Sequence, residues 1–356
     1  MKKLVLTDFK KVEIVEDAVP KPAFGEAVVR IRYAGICGSD LHVYDGSHPY
    51  AKPPMVMGHE ACGTVCAIDS DREDIRTGDK VCFHTVEPCG SCEECCSGRE
   101  NLCSSVKIMG TNMDGVFTQY KLVDAARLIK FNEGVDDQVA ALVEPLTVAV
   151  HNIRRAGLQP GDHVFISGAG PIGLVIGMMA RLSGAAGVVL AEIDQTRIGI
   201  AREMGFHVFN PEEENFSAAC MEICGGAGFD KAYEITSVQS SFDRCVSLLK
   251  RGGVMIQVGM PPAGKMFDLD INKIIYRECD IRGVRHHTMF DMQRAVRIID
   301  SGVLNDQLKK LVSAVYPLEE GAAAFRRAGT DRSVLRVLLD LEERGAGGTG
   351  PAAGAR

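Results

Sequence analysis

Two short stretches near the amino terminus combine residue types that bind metal ions. Cys37-Gly38-Ser39-Asp40-Leu41-His42 supplies a thiol, and Gly58-His59-Glu60 supplies an imidazole and a carboxylate. Zinc accepts sulfur, nitrogen and oxygen ligands together, and three protein ligands with a fourth position open are typical of a catalytic zinc site. The alternative is a small buried Cys and a hydrogen-bonded His, and these stretches alone do not decide between the two interpretations.

A second cluster consists of thiols. Cys89, Cys92, Cys95 and Cys103 have the spacing C-x2-C-x2-C-x7-C in a loop rich in Gly, Ser and Glu. Tight turns of this length let four sulfurs converge on one tetrahedral ion with no open position, which predicts a structural zinc. Together the two clusters predict two zinc ions per chain.

A glycine-rich turn lies in the middle of the chain. Gly168-Ala169-Gly170-Pro171-Ile172-Gly173 follows a predicted strand over 163–167, opens a predicted helix, and precedes Glu192 at the end of the next predicted strand. In a dinucleotide site Gly168 permits the tight turn, Gly170 lets the backbone approach a pyrophosphate, and Gly173 allows close helix packing. A glycine-rich packing turn without a ligand is the alternative.

The predicted cofactor is NAD. Glu192 is placed to accept hydrogen bonds from the ribose hydroxyls, and its charge would repel a 2'-phosphate. Arg197 leaves the choice against NADP open, because it could pair with Glu192, lie against the adenine or neutralise a 2'-phosphate. Ile172, Val258 and Val284 complete the predicted cofactor-binding set.

Periodicity predicts two kinds of architecture. The first part of the chain reads as short strands over 3–8, 12–15, 26–34, 63–67 and 80–83, typical of an all-β unit. From about residue 161, predicted strands over 163–167, 187–191, 207–210, 231–235, 254–258 and 280–284 alternate with predicted helices over 171–182, 195–204, 216–223 and 240–249. This alternation predicts a parallel, doubly wound sheet in an α/β fold.

The composition limits the function. A chain of 356 residues with 46% apolar residues and a net charge of -7 is typical of a two-domain enzyme, and argues against nucleic acid or an anionic membrane as main partner. No signal peptide or membrane span is predicted, and thirteen cysteines favour thiol or metal chemistry over a disulfide scaffold, so we expect a cytoplasmic protein. The Gly- and Ala-rich tail, 345–356, is expected to be disordered.

The thiol cluster, the Cys and His-Glu stretches before it and the dinucleotide turn after it resemble the zinc-containing medium-chain dehydrogenases. With Glu144-Pro145-Leu146, the metal stretches look most like polyol dehydrogenases of the sorbitol and xylitol type and L-threonine 3-dehydrogenase. The resemblance implies a GroES-like catalytic domain over 1–147 and 286–344, containing the zinc lobe 89–103. It also implies a Rossmann NAD-binding domain over 148–285, and a homo-oligomer, dimer or tetramer.

The resemblance implies a set of zinc ligands. Cys37, His59 and Glu60 would hold the catalytic zinc, and Glu144 would lie beside it, binding the metal-bound water or moving onto the metal. The substrate would be a small molecule with a secondary alcohol, and its hydride would pass to NAD. Ser39 would receive the alcohol proton and pass it through the cofactor ribose toward His42.

The expected substrate is a polyol or a sugar acid. Tyr44, in the polar and aromatic loop 42–52, and Phe117 are expected to line the cleft. His286 and His287 fall where sorbitol-type relatives carry an Arg-Tyr pair that holds substrate hydroxyls. Because His replaces that pair, sorbitol itself is in doubt, and exposed loop residues are the alternative interpretation of both histidines.

Two rival functions remain. Met289-Phe290 is closer to the threonine type, which leaves an L-threonine 3-dehydrogenase-type enzyme acting on an amino alcohol open. The other rival is a zinc-stabilised binding protein on the same fold without turnover, which is disfavoured because the ligand and proton-relay candidates are all present.

Overall fold

The computed structural model describes residues 1–262 and 264–342, so the tail predicted to be disordered, 345–356, lies outside the described residues. The strands are β1 Lys2–Asp8, β2 Lys11–Glu16, β3 Glu26–Ile36, β4 Met55–Val56, β5 Glu60–Asp69, β6 Lys80–Phe83, β7 Val86–Glu87, β8 Lys107–Ile108, β9 Tyr120–Asp124, β10 Leu128–Lys130, β11 His163–Ser167, β12 Gly187–Ala191, β13 His207–Phe209, β14 Phe229–Glu234, β15 Leu249–Gln257, β16 Asp280–Gly283, β17 Val312–Pro317 and β18 Arg336–Asp340. The helices are α1 Gly38–Asp45, α2 Glu93–Cys96, α3 Asp137–Ala140, α4 Val143–Ala156, α5 Pro171–Leu182, α6 Gln195–Glu203, α7 Phe216–Ile223, α8 Gln239–Leu248, α9 Ile271–Ile275, α10 Met289–Ser301, α11 Asn305–Lys309 and α12 Gly321–Thr330.

Strand β3 organises the β-rich unit. A seven-stranded sheet has the order β10-β6-β5-β3-β18-β17, with β9 also paired to β3, and a separate three-stranded sheet has the order β2-β1-β4. The apolar residues of β3 are almost all buried, as expected for a strand covered on both faces. Strand β18, near the carboxyl terminus, pairs antiparallel with β3 and places Val337 opposite Ile36. The end of the chain therefore completes the sheet that begins it.

The middle of the chain forms the predicted parallel sheet. Its six strands have the order β13-β12-β11-β14-β15-β16. The predictions for β11, α5, β12 and α7 are confirmed to the residue. Strand β15 begins at Leu249, before the predicted start at 254, because Gly252 at φ 72° accommodates a bulge against β14. Among the described residues, no helix is both long and apolar enough to cross a bilayer.

Helix α4 joins the two units. The largest apolar core contains Leu146 and Val150 of α4 and Ile166 of the parallel sheet, and continues to Tyr33 and Cys62 of the β-rich unit. Each such side chain contributes about 1.5–3 kcal/mol when fully buried. The predicted boundary at 147/148 falls inside α4, so the domain limits remain a prediction.

A buried carboxylate fixes helix α10 against α4. Thr288 caps α10 and forms a capping box with Asp291. Asp291 is fully buried and accepts a hydrogen bond from His151 Nδ1 at 2.8 Å. Arg154 donates two more hydrogen bonds to it, from Nε at 2.8 Å and from Nη2 at 3.0 Å. Burial raises the pKa of Asp291, but the hydrogen bonds from His151 and Arg154 outweigh it and hold the pKa well below its usual value.

Replacing Asp291 by Asn should destabilise the protein in a pH-dependent way. Because the folded pKa lies below the unfolded value of about 4, the carboxylate's stabilisation is present above pH 4 and is lost as pH falls toward the folded pKa. We expect Asp291→Asn to cost about 3 kcal/mol at pH 7. Urea unfolding followed by circular dichroism at several pH values tests this. A wild-type advantage that stays constant from pH 7 down to pH 3 contradicts it.

Candidate active site

The structure brings Cys37, His59 and Glu60 together. One ligand atom from each side chain lies within 4.8 Å of the others. Cys37 follows β3 directly, and Glu60 begins β5, where it pairs with Gly35 of β3. The antiparallel pairing of β3 and β5 thus places the end of one metal stretch beside the start of the other.

Asp40 ties the two stretches together. Its Oδ2 accepts a hydrogen bond from Cys37 N at 2.8 Å, which closes a capping box at the start of α1. Its Oδ1 accepts a hydrogen bond from Gly58 N at 3.1 Å and lies 3.5 Å from His59 Nδ1. Neither α1 nor this role of Asp40 was predicted from the sequence. A carboxylate three residues after Cys37 was the available signal.

The Glu60 side chain is fully buried, and neither of its carboxylate oxygens has a hydrogen bond. Arg336 Nη1, on β18, lies 3.0 Å from Glu60 Oε1 without hydrogen-bonding geometry, and donates instead to Ile36 O at 3.1 Å. A buried charge that lacks hydrogen bonds costs several kcal/mol unless another partner compensates it. A metal ion fits this requirement. No motif signals Arg336, which reaches the site only through the pairing of β18 with β3.

The electrostatics also suit a cation. Burial raises the pKa of Cys37, but the hydrogen bond and charge of His59 outweigh it and lower the pKa to about 6, which favours the thiolate. Burial raises the pKa of Glu60 well above its usual value, with Arg336 opposing. A divalent ion bound beside Cys37, His59 and Glu60 would favour the ionised form of that carboxyl group.

Glu144 lies outside the three-residue cluster among the described residues. It occupies the first turn of α4, and its Oε1 accepts a hydrogen bond from His287 Nε2 at 3.1 Å. Burial raises the pKa of Glu144, but the hydrogen bond from His287 and the charge of His59 outweigh burial. The pKa is therefore lowered, which favours the ionised carboxylate. Its prediction as a residue beside the metal therefore remains a hypothesis.

The two relay candidates lie on one face of α1. Ser39 Oγ lies 3.3 Å from His59 Nε2, and Ser39 is half-buried. His42 is three residues further along the helix and is exposed, with its Nδ1 3.0 Å from Ser47 Oγ. Side chains three residues apart on a helix are neighbours. The pair therefore extends from the cluster toward solvent.

Two predicted substrate residues have packing contacts instead. The Tyr44 hydroxyl donates to Lys10 O at 2.8 Å, and its ring lies 4.9 Å from that of Phe325. Phe117 is fully buried against Phe325 and against Gly58, where a Cβ atom would lie 2.5 Å from the ring. The prediction that these rings line an open cleft is therefore not supported by their positions.

His286 and His287 differ in burial and in their contacts. His286 is partly buried in a left-handed backbone conformation, φ 49°, and burial lowers its pKa to about 4. His287 is 1% exposed and bonded to Glu144, so the alternative of an exposed loop residue is wrong for it.

The four thiols Cys89, Cys92, Cys95 and Cys103 also converge, each sulfur within 4.8 Å of the others. Ligands about 2.3 Å from a tetrahedral ion are roughly 3.8 Å apart. Cys92 Sγ lies 3.4 Å from Cys95 Sγ, and Cys89 Sγ lies 4.0 Å from it. The buried apolar residues of this lobe are Val86, Cys103 and Val106, a core too small to hold it alone.

The predicted cofactor residues lie at one edge of the parallel sheet. Gly168 follows β11, Glu192 follows β12, Val258 follows β15 and Val284 follows β16. The carboxyl ends of parallel strands form the usual ligand crevice of such folds. Helix α5 begins after Gly170 without a side-chain cap, so its first N–H groups are available to a phosphate.

Glu192 and Arg197 do not pair. Glu192 Oε2 accepts a hydrogen bond from Ala169 N at 2.9 Å, and Oε1 accepts from Ile193 N at 2.9 Å and Asp194 N at 3.1 Å. Arg197 Nε donates to Arg332 O at 2.9 Å, and its Nη1 would lie 3.7 Å from a Cβ atom at Gly170. Both side chains border the glycine turn.

Comparisons with known proteins agree with this arrangement. Residues 23–133 match the model of the alcohol dehydrogenase GroES-like domain, and residues 171–301 match that of zinc-binding dehydrogenases. The chain is 34% identical over 344 residues to L-idonate 5-dehydrogenase (NAD(P)(+)) of Escherichia coli (strain K12), covering 94% of this chain and 97% of the relative.

Other relatives have related names. Sorbitol dehydrogenase of Bacillus subtilis (strain 168) is 30% identical, with 92% of this chain and 93% of the relative covered. L-threonine 3-dehydrogenase of Yersinia pestis (strain Pestoides F) is 31% identical, with 90% and 94% covered. A proposed zinc-binding dehydrogenase from Sinorhizobium meliloti 1021, solved bound to NADP, superposes with a TM-score of 0.88 at 27% identity, covering 96% of this chain and 99% of that one.

The chain belongs to the zinc-binding alcohol dehydrogenase family, with a GroES-like unit and a Rossmann-type unit. The resemblance inferred from the motifs is confirmed. The protein is an oxidoreductase of this family that acts on a small-molecule substrate with zinc and a nicotinamide cofactor.

Two glycines of the turn should respond differently to Ala. A Cβ atom at Gly173 would lie 2.0 Å from Gly168 O, so Gly173→Ala should lower the thermal midpoint. At Gly170 it would meet only Arg197 Nη1 at 3.7 Å, so Gly170→Ala should fold normally. Because this methyl faces the approach to the pyrophosphate, we expect the KM for the dinucleotide to rise roughly tenfold or more. An unchanged KM for the dinucleotide in folded Gly170→Ala would contradict the assignment of this turn as the pyrophosphate site.

Proposed function

We propose that this protein oxidises a secondary alcohol of a sugar acid or polyol and transfers the hydride to NAD. The observation that carries the proposal is the convergence of Cys37, His59 and a buried Glu60 whose oxygens lack hydrogen bonds. The dinucleotide turn and the relatives named L-idonate 5-dehydrogenase and sorbitol dehydrogenase support it.

In this proposal the residues of the site have distinct tasks. When bound, zinc supplies Lewis acidity and the nicotinamide ring accepts hydride. Cys37, His59 and Glu60 would hold the metal and leave one ligand position for the substrate hydroxyl. Ser39 Oγ, beside His59, would receive the hydroxyl proton, and His42, exposed one helical turn further, would release it to solvent.

A substrate panel tests the proposal. Initial rates of NADH formation should be measured with L-idonate, D-gluconate, xylitol, sorbitol and L-threonine, each with NAD and with NADP. We expect the highest kcat/KM with a hexonate or a polyol. Absence of turnover with every member would contradict the proposal and favour a zinc-stabilised binding protein.

An amino-alcohol substrate is the second candidate. The relative named L-threonine 3-dehydrogenase favours it, as does the sequence Met289-Phe290 that follows the histidines. In that case L-threonine would exceed every polyol and hexonate of the panel in kcat/KM.

Substitutions at the two predicted metal sites should have different effects. We expect two zinc ions per chain, one in the cluster of Cys37, His59 and Glu60 and one in the four-thiol lobe. Cys37→Ala and His59→Ala should remove one zinc and abolish turnover while the protein stays folded. Cys92→Ala should lower the thermal midpoint, because a structural zinc contributes directly to folding. Plasma emission spectrometry measures the zinc content, and calorimetry measures the thermal midpoint. Two zinc ions per chain in Cys37→Ala would contradict the assignment of Cys37 as a zinc ligand.

The preference between NAD and NADP depends on Glu192 and Arg197. Backbone N–H groups already stabilise Glu192, yet its negative charge remains beside the glycine turn and disfavours a 2'-phosphate. Arg197 is the cation at the same edge. We expect NAD to have the higher kcat/KM, and Arg197→Gln to reduce the kcat/KM for NADP more than for NAD. Equal losses with both cofactors would contradict this role.

We also propose that the protein is a cytoplasmic homo-oligomer, a dimer or tetramer. Thiols remain unpaired in reducing compartments, and all thirteen cysteines are free. Strand β16 ends the parallel sheet in the described part of the chain, and Met266, Ile275 and Tyr276, which precede it in sequence, are 88%, 62% and 79% exposed. An end strand and exposed apolar side chains suit a second copy. Sedimentation equilibrium tests it, and a monomer at micromolar concentration would contradict it.

A further inference from the structure

Three buried side chains form a hydrogen-bonded chain that ends at Glu144, whose charge interacts with those of His59 and Glu60 in the metal cluster. Glu144 Oε1 lies 3.1 Å from His287 Nε2, and His287 Nδ1 lies 3.1 Å from His84 Nε2. His84 Nε2 is also 3.3 Å from His287 O. Both histidines are 1% exposed, and Glu144 is 8% exposed. His84 follows β6 directly and belongs to no motif that would mark it in the sequence.

The order of donors follows from the chemistry of the groups. A carboxylate only accepts hydrogen bonds, so His287 Nε2 must donate to Glu144. In neutral His287 the other ring nitrogen is then an acceptor, and it receives the N–H of His84 Nε2. His84 therefore selects the tautomer of His287 that donates to Glu144.

The backbone around His287 is fixed on both sides. Asn101, in the four-thiol lobe, donates from Nδ2 to Arg285 O at 2.9 Å, and Glu100 of the same lobe accepts a hydrogen bond from Met289 N. Thr288 N donates to Asp291 Oδ2 at 3.0 Å. His287 thus has little freedom to follow Glu144 if that carboxylate moves.

We propose that His287, oriented by His84, is a positioning residue that holds the Glu144 carboxylate away from Cys37, His59 and Glu60. This inference rests on the proposed function, in which those three residues bind zinc and need a free ligand position for the substrate. A carboxylate beside a divalent cation is attracted to it, and a fourth protein ligand would close the site. The hydrogen bond from His287 opposes that movement.

The test uses two substitutions of His84, which lies one contact away from Glu144. His84→Leu removes the donor with a side chain of comparable size, whereas His84→Gln keeps an N–H near the position of Nε2. Cobalt(II) is exchanged into the open site of the full-length protein with zinc left in the thiol lobe. Cys37→Ser, loaded in the same way, provides the spectroscopic baseline.

We expect His84→Leu to change the visible cobalt spectrum, to slow metal removal by a chelator about tenfold, and to raise the KM for the alcohol about tenfold with little change in kcat, because a Glu144 ligand would compete with the substrate for the open position. His84→Gln should restore all three toward wild-type values. A cobalt spectrum and a chelation rate in His84→Leu equal to those of the wild type would overturn the inference. Equal losses in both variants with parallel decreases in the thermal midpoint would also overturn it, because they would show a packing role.

The same experiment distinguishes failure of the proposed function. If the wild-type protein gives no cobalt signal beyond that of Cys37→Ser, the cluster does not bind a metal. That outcome overturns the proposed function and this inference with it. A normal wild-type signal that His84→Leu leaves unaltered overturns the inference alone.

Discussion

The Glu60 carboxyl group, buried where β3, β5 and β18 meet, is the constraint on which the site depends. The Glu60 side chain is fully buried, and its carboxylate oxygens have no hydrogen bonds. The pKa of the neighbouring Cys37 is lowered, which favours the thiolate. Arg336, also buried, is the cation that faces Glu60, at 3.0 Å. Burial raises the pKa of Glu60 although Arg336 opposes it, so a further positive charge at this place would favour the ionised carboxylate. A divalent ion provides that charge and gives both Glu60 oxygens a role.

The fold supplies this site from distant parts of the chain. Strand β18 carries Arg336 back to β3, and α4, packed into a core shared by both units, carries Glu144 to the same place. The four-thiol lobe contacts the segment that carries His287 through Glu100 and Asn101. Its structural role therefore extends beyond its own small core. The dinucleotide turn lies on the parallel sheet, whose strand ends form the second half of the proposed active site.

Local patterns predicted much of this structure, and tertiary contacts account for the rest. The thiol spacing of the lobe and the glycine turn between β11 and α5 depend on short-range geometry, and the structure has them where the sequence placed them. Arg336 and His84 carry no local signal, since strand pairing and the packing of α4 bring them into place. Phe117, in contrast, carries a local signal that suggests the wrong role. An aromatic residue near a predicted cleft suggests substrate contact, but only the packing against Gly58 reveals that the ring is buried.

Anomalous diffraction from crystals of the zinc-loaded protein, recorded above and below the zinc edge, measures the central feature directly. Two peaks are predicted per chain, one within the four-thiol lobe and one bonded to Cys37, His59 and Glu60, with Glu144 still hydrogen-bonded to His287. A single peak in the lobe, with Cys37 and His59 directed away from each other, would contradict a catalytic metal in this protein.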